Sequence, residues 1–136
     1  MDLASKVVDK MLSGDAFSKW LGIEILAISS GYCKIRMQVR KEMTNGFNIA
    51  HGGITYSLAD SALAFAANSY GIQSLSVETS INHAKKVMNG DTLIAETKEI
   101  EQKEKTASYV ISIVNQEGIE VAEFNGKVFI TKNYWF

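Results

Sequence analysis

Between Met43 and Val77 the chain carries one formal charge, Asp60, within a stretch rich in alanine and leucine. An unpaired carboxylate in such surroundings costs several kcal/mol to bury. Asp60 therefore either pairs with a lysine, caps a backbone group, or has a job in chemistry. Upstream stand Asn45-Gly46-Phe47-Asn48 and then His51-Gly52-Gly53. Free N–H groups at a helix start attract negative charge, including the oxyanion that develops when a carbonyl is attacked. Glycine at that point lets a ligand carbonyl approach the backbone. A Gly-Gly pair by itself reads as a flexible turn. Joined to the amide of Asn45 and a downstream acid, it supplies the parts of a carbonyl-activating site. His51 fits two roles, a catalytic one and simple packing at the helix start.

The spacing adds a constraint. Asp60 lies eight residues after Gly52, about 12 Å further along one helix, so it cannot act on a carbonyl held at its own helix N-terminus. If both groups serve one site, the acid comes from a second copy running antiparallel, which implies a two-fold dimer with two equivalent sites. Metal chemistry finds no support: His51, His83 and Cys33 are the only imidazoles and thiol, and they lack zinc-ligand spacing. Cys33 alternates with Lys34 and Arg36, the pattern of a core strand residue rather than a nucleophile.

The elements that must position these groups follow from periodicity. Gly52–Tyr70 is apolar on most sides and long enough for a buried helix, closed by Asn68 and Gly71. Residues 2–20 are helical, with Asp15 as N-cap of Ala16–Leu21 and Gly22 as its stop. Cys33–Arg40 alternates strictly, with Cys33, Ile35, Met37 and Val39 on one face, and Ile23–Ser29 precedes it as a strand. Leu75–Ala84, Thr92–Glu101, Ala107–Asn115 and Glu120–Thr131 read as four further strands arranged as consecutive hairpins. The resulting expectation is an α+β domain over residues 1–136, one helix inside an antiparallel sheet that curls around it.

Composition bounds the rest. A chain of 136 residues, 46% hydrophobic and 21% charged, is neither disordered nor multidomain. A net charge of -1 supplies no field for nucleic acid. No window reaches the roughly 18 apolar residues of a membrane span. The lone cysteine and an N-terminus without a leader pattern point to a cytoplasmic protein.

The run Asn45-Gly46-Phe47-Asn48-Ile49-Ala50-His51-Gly52-Gly53, followed by Leu58-Ala59-Asp60, resembles the signature of hotdog-fold acyl-CoA thioesterases, and within them the phenylacetate-degradation subfamily. Leu21-Gly22-Ile23, Gly90-Asp91-Thr92-Leu93 and Val114-Asn115 fit the same pattern. The resemblance implies a hotdog fold that hydrolyses acyl-CoA thioesters to free acid and CoA without a cofactor. It further implies aromatic acyl groups such as phenylacetyl or its hydroxylated forms, and a homo-oligomer, a dimer or a dimer of dimers. In such a site Gly52 N–H would polarise the thioester carbonyl, Gly53 would shape the turn, and Asn45 and His51 would lie on the same side. Asp60 of the other subunit would activate water or attack directly, and Ser76 stands about where some relatives hold a water.

This sequence departs from the pattern in the strand after the helix. Relatives carry an aromatic residue followed by Arg-Pro, whereas Ile81-Asn82-His83-Ala84-Lys85-Lys86 stands here. Asn82, His83, Lys85 and Lys86 would then meet CoA, with the lysines on its phosphates, or the lysines form only a solvated charge pair at a strand end. Two rival functions share the fold. A dehydratase acting on acyl-carrier protein would need a His-Phe-Pro loop, and the chain has no proline. A non-catalytic acyl-CoA-binding module would not need Asn45, Gly52 and Asp60 together.

Overall fold

The computed structural model describes all 136 residues. In chain order they form α1 (Leu3–Ser13), α2 (Ala16–Leu21), β1 (Glu24–Ser29), β2 (Tyr32–Gln38), a single 3-10 turn at Lys41–Met43, α3 (Gly52–Asn68), β3 (Ile72–His83), β4 (Thr92–Gln102), β5 (Thr106–Val114) and β6 (Glu120–Tyr134). The N-terminal helical segment divides in two because each half carries its own cap. Asp2 accepts from Ser5 N–H at 2.8 Å and Asp15 from Ser18 N–H at 3.0 Å. Gly22, at φ 77, stops α2 in a left-handed conformation that a side chain would strain.

Helix α3 lies inside the sheet. Leu58, Ala59, Ala62, Leu63, Phe65 and Ala66 are all buried, so its apolar composition meets protein on most sides. The strand alternation reads true: Cys33, Ile35, Met37 and Val39 point into the core. They meet Leu93 and Ala95 of β4, and Tyr109, Ile111 and Ile113 of β5. Burial pushes the Cys33 thiol up to about 12. Gly126 of β6 lets Leu63 of the helix pack close against the sheet, since a Cβ there would stand 2.6 Å from Leu63 Cδ2.

All five strand pairings are antiparallel, in the order β1-β2-β4-β5-β6-β3. A long helix wrapped by one curved antiparallel sheet is the hotdog arrangement, and it is α+β. One expectation needs correction. The last four strands are not consecutive hairpins: β4, β5 and β6 are, but β3 pairs with β6 at the far edge (Leu75↔Phe129, Asn82↔Glu123), while β4 docks on β2 (Met37↔Leu93). Periodicity reports which face of a strand is buried but not which strand it pairs with. The consequence is functional. The chain between β3 and β4 must cross back under the N-terminus of α3, where Ala50 N–H donates to Val87 O at 2.8 Å and Ile49 bridges Met88. At the sheet edge β3 pairs on one flank only, and Leu75 and Val77 on it are exposed.

Candidate active site

The first half of the site is the start of α3. His51 is its N-cap, in extended backbone with no side-chain capping bond. The N–H groups of Gly52 and Gly53 donate to nothing in the chain. They are the unsatisfied donors that every helix start presents, here exposed and backed by the helix dipole. The preceding loop is held in shape by Asn45, whose Oδ1 accepts from Phe47 N–H at 2.8 Å and Ile49 N–H at 3.2 Å. That oxygen is committed to the loop, which leaves the side-chain amide nitrogen as the group able to reach a ligand.

The crossover brings the end of β3 against this helix start. A Cβ on Gly52 would stand 3.2 Å from His83 Nε2, so glycine is what lets the imidazole lie against the helix. Gly52, His83, Lys85 and Lys86 line one cleft of about 350 Å³, with Ile49, Thr55 and Val87. Asn82 does not join them, because neighbouring strand residues point to opposite faces. It sits opposite Glu123 in the register with β6.

Asp60 stands in a second cleft, also about 350 Å³, together with Ser76 and the apolar Met11, Leu63, Ala64, Leu75, Val128 and Trp135. The ion pairs of the protein are Arg36–Glu24, Arg40–Glu42 and Lys103–Glu101, so the lysine-partner explanation for Asp60 falls away. Its carboxylate is half-buried and holds its proton above the usual carboxylate value, first because of burial and then because the charge of Asp15 faces it. Asp15 also accepts from Ser18 Oγ at 2.6 Å, and that hydroxyl lies 2.8 Å from Ser61 Oγ, next in sequence to Asp60. In the sequence alone Asp15 reads only as a cap. Met11 and Trp135 carried no signal, since they reach the cleft from opposite ends of the chain. No residue lines both clefts. Within one chain, then, Gly52 and Asp60 do not face a common space. No cluster of three His, Cys, Asp or Glu residues could hold a metal.

The chain thus presents two separate groups, a helix start with free N–H donors and a half-buried carboxylate with raised proton affinity. A family profile described as the thioesterase superfamily matches residues 47–122, a span that includes Gly52, Asp60, Ser76, His83 and Lys85. The chain belongs to the thioesterase superfamily. This thioesterase is 39% identical over 117 residues to the acyl-coenzyme A thioesterase PaaI of Escherichia coli K12, covering 86% of this chain and 84% of that one. The solved structure of the E. coli PaaI protein, from the phenylacetic acid degradation operon, superposes with a TM-score of 0.94 at 36% identity, covering 96% of this chain and 95% of that one. A hypothetical thioesterase protein of Streptococcus pneumoniae TIGR4 solved with coenzyme A gives a TM-score of 0.84 at 27% identity, covering 90% of this chain and 95% of that one. The reaction class of this thioesterase is thioester hydrolysis.

Proposed function

We propose that this thioesterase hydrolyses acyl-CoA thioesters, preferring aromatic acyl groups such as phenylacetyl, at sites shared by two copies of the chain. The observation that carries the reading is the separation of the unpaired Gly52 N–H and the unpaired Asp60 carboxylate into two clefts along one helix. An antiparallel second copy of α3 brings each group opposite the other's counterpart. The half-open edge strand β3, with its exposed Leu75 and Val77, offers the surface for that pairing, and a dimer of dimers is the assembly proposed. The activities named for the E. coli relative and the CoA held by the pneumococcal structure support CoA as the thiol.

In this scheme the thioester carbonyl accepts from Gly52 N–H, with the Asn45 side-chain amide and His51 beside it. Gly53 keeps the approach clear, since nothing lies within 4 Å of where its Cβ would be. Asp60 of the second copy takes a proton from water positioned by Ser76. The hydroxide adds to the carbonyl carbon, the C–S bond breaks, and CoA leaves as the thiol after regaining a proton. Lys85, Lys86 and His83 line the path from the helix start, and the two lysines meet the CoA phosphates as point charges.

The test is thiol release across short, long and aromatic acyl-CoAs, with Asp60→Asn as control. Phenylacetyl-type substrates should give a higher kcat/KM than straight-chain acyl groups of the same carbon number, and Asp60→Asn should cut kcat by about 10²–10⁴. Release from no acyl-CoA, or near-normal turnover by the variant, overturns the reading.

A further inference from the structure

The cleft that holds Asp60 has apolar side walls, Met11, Leu63, Ala64, Leu75 and Val128. It follows α3 from Asp60 to Asn68, a run of about 12 Å. At the far end Asn68 offers a ligand nothing, because its amide is fully engaged. Its nitrogen donates to Ala64 O at 2.8 Å and Ser74 O at 3.1 Å, and its oxygen accepts from Ser74 N–H at 2.8 Å and from the indole N–H of Trp135 at 2.9 Å. The C-terminal tail that delivers Trp135 is itself tied down. Trp135 N–H donates to Gly71 O at 2.9 Å, Lys10 Nζ donates to Trp135 O at 2.9 Å, and Lys10 also sits 4.8 Å from the centre of the Phe136 ring.

We infer that Trp135 is the end wall of the acyl pocket and sets the upper length of the acyl group that this thioesterase accepts. The inference rests on the reading above, in which Asp60 faces the thioester carbonyl. With the carbonyl at Asp60, the acyl group lies in the apolar trough and runs toward the indole. An extended chain advances about 1.2 Å per bond, so the trough takes a single ring or a straight chain of about ten carbons and no more. Trp135 and Met11 lie outside the stretch matched by the family profile, residues 47–122.

The experiment measures kcat/KM for straight-chain acyl-CoAs from hexanoyl to hexadecanoyl with the wild-type protein, Trp135→Ala and Trp135→Phe. In the wild type each added methylene should raise kcat/KM about four-fold, the ratio that corresponds to ~0.8 kcal/mol per buried CH₂. The rise should end near decanoyl. Trp135→Ala should move the break to longer chains, raising the ratio of kcat/KM for tetradecanoyl over octanoyl by about tenfold or more. Trp135→Phe, which keeps a ring in place, should move it least. Melting temperatures accompany each variant, and Trp135→Leu replaces the alanine variant if that one does not fold. A wild type without a break, or a folded variant with an unmoved one, overturns the inference. Asp60→Asn separates the two levels. If it abolishes turnover while the break stays put, only the role of Trp135 fails; if turnover persists, the placement of the thioester fails as well.

Discussion

Asp60 shows how a functional group can work against the fold that holds it. Its carboxyl keeps its proton above the usual 3.8 because it is half-buried and because Asp15 faces it. The folded chain thus binds that proton more tightly than the unfolded chain does. Stability from this group falls as pH rises through the window above 3.8, and at neutral pH the ionised carboxylate is destabilising. Asp60→Asn should therefore raise the melting temperature at neutral pH, with the gain shrinking as pH is lowered toward 3.8. Calorimetry of both proteins across that range is the check, and a lower melting temperature for the variant would mark Asp60 as a structural partner instead. Asp60 and Gly52 were legible in the sequence because a lone charge in an apolar run, and glycine at a helix start, are unusual for local reasons. Trp135 was not, because nothing local distinguishes an indole near a chain end from any other surface aromatic. Its meaning comes from Asn68, 67 positions away.

Among the elements, the junction where α3 hands over to β3 carries the most connections. Asn68 ties the last turn of the helix to Ser74 on β3 and to the tail beyond β6, and both Asn68 and Ser74 are buried. Asn68→Ala would leave the Ser74 N–H and C=O without partners in the interior, at a cost of about 2–3 kcal/mol. Urea unfolding should show the loss as a lower midpoint with an unchanged slope. The helix itself was legible from composition, and β1, β2 and the hairpins of β4, β5 and β6 from alternation and turn residues. The place of β3 was not. Its burial is mostly exposed along its length, so its apolar residues, Leu75 and Val77 among them, carry no trace of the edge position or of the crossover that follows. That crossover is what sets His83, Lys85 and Lys86 beside Gly52, a neighbourhood no spacing rule relates to a histidine 31 positions downstream in the chain.

For the whole molecule, simple helix geometry reached further than pattern reading. The rise of a helix over eight residues already separates Gly52 from Asp60, and the two separate clefts agree with it. Sites shared between copies make a sharp test. Chains carrying Asp60→Asn and chains carrying Gly52→Val, which crowds His83, should each be nearly inactive alone. Mixed one to one and allowed to exchange, they should recover activity from about a quarter of the wild-type number of sites, since mixed dimers hold one intact site each. Recovery that never rises above the sum of the separate variants would mean that each chain works alone.

The sulfhydryl of Cys33 has a practical meaning. It is the sole thiol in the chain, sealed between β2 and the core, with its ionisation pushed up to about 12. A thiol reagent in the assay mixture therefore counts liberated CoA and leaves the native enzyme unmarked. In the absence of substrate the same reagent becomes a clock. Once the labelling rate no longer rises with reagent concentration, each Cys33 that reacts records one parting of the sheet, and the rate of labelling times the opening of the native state itself.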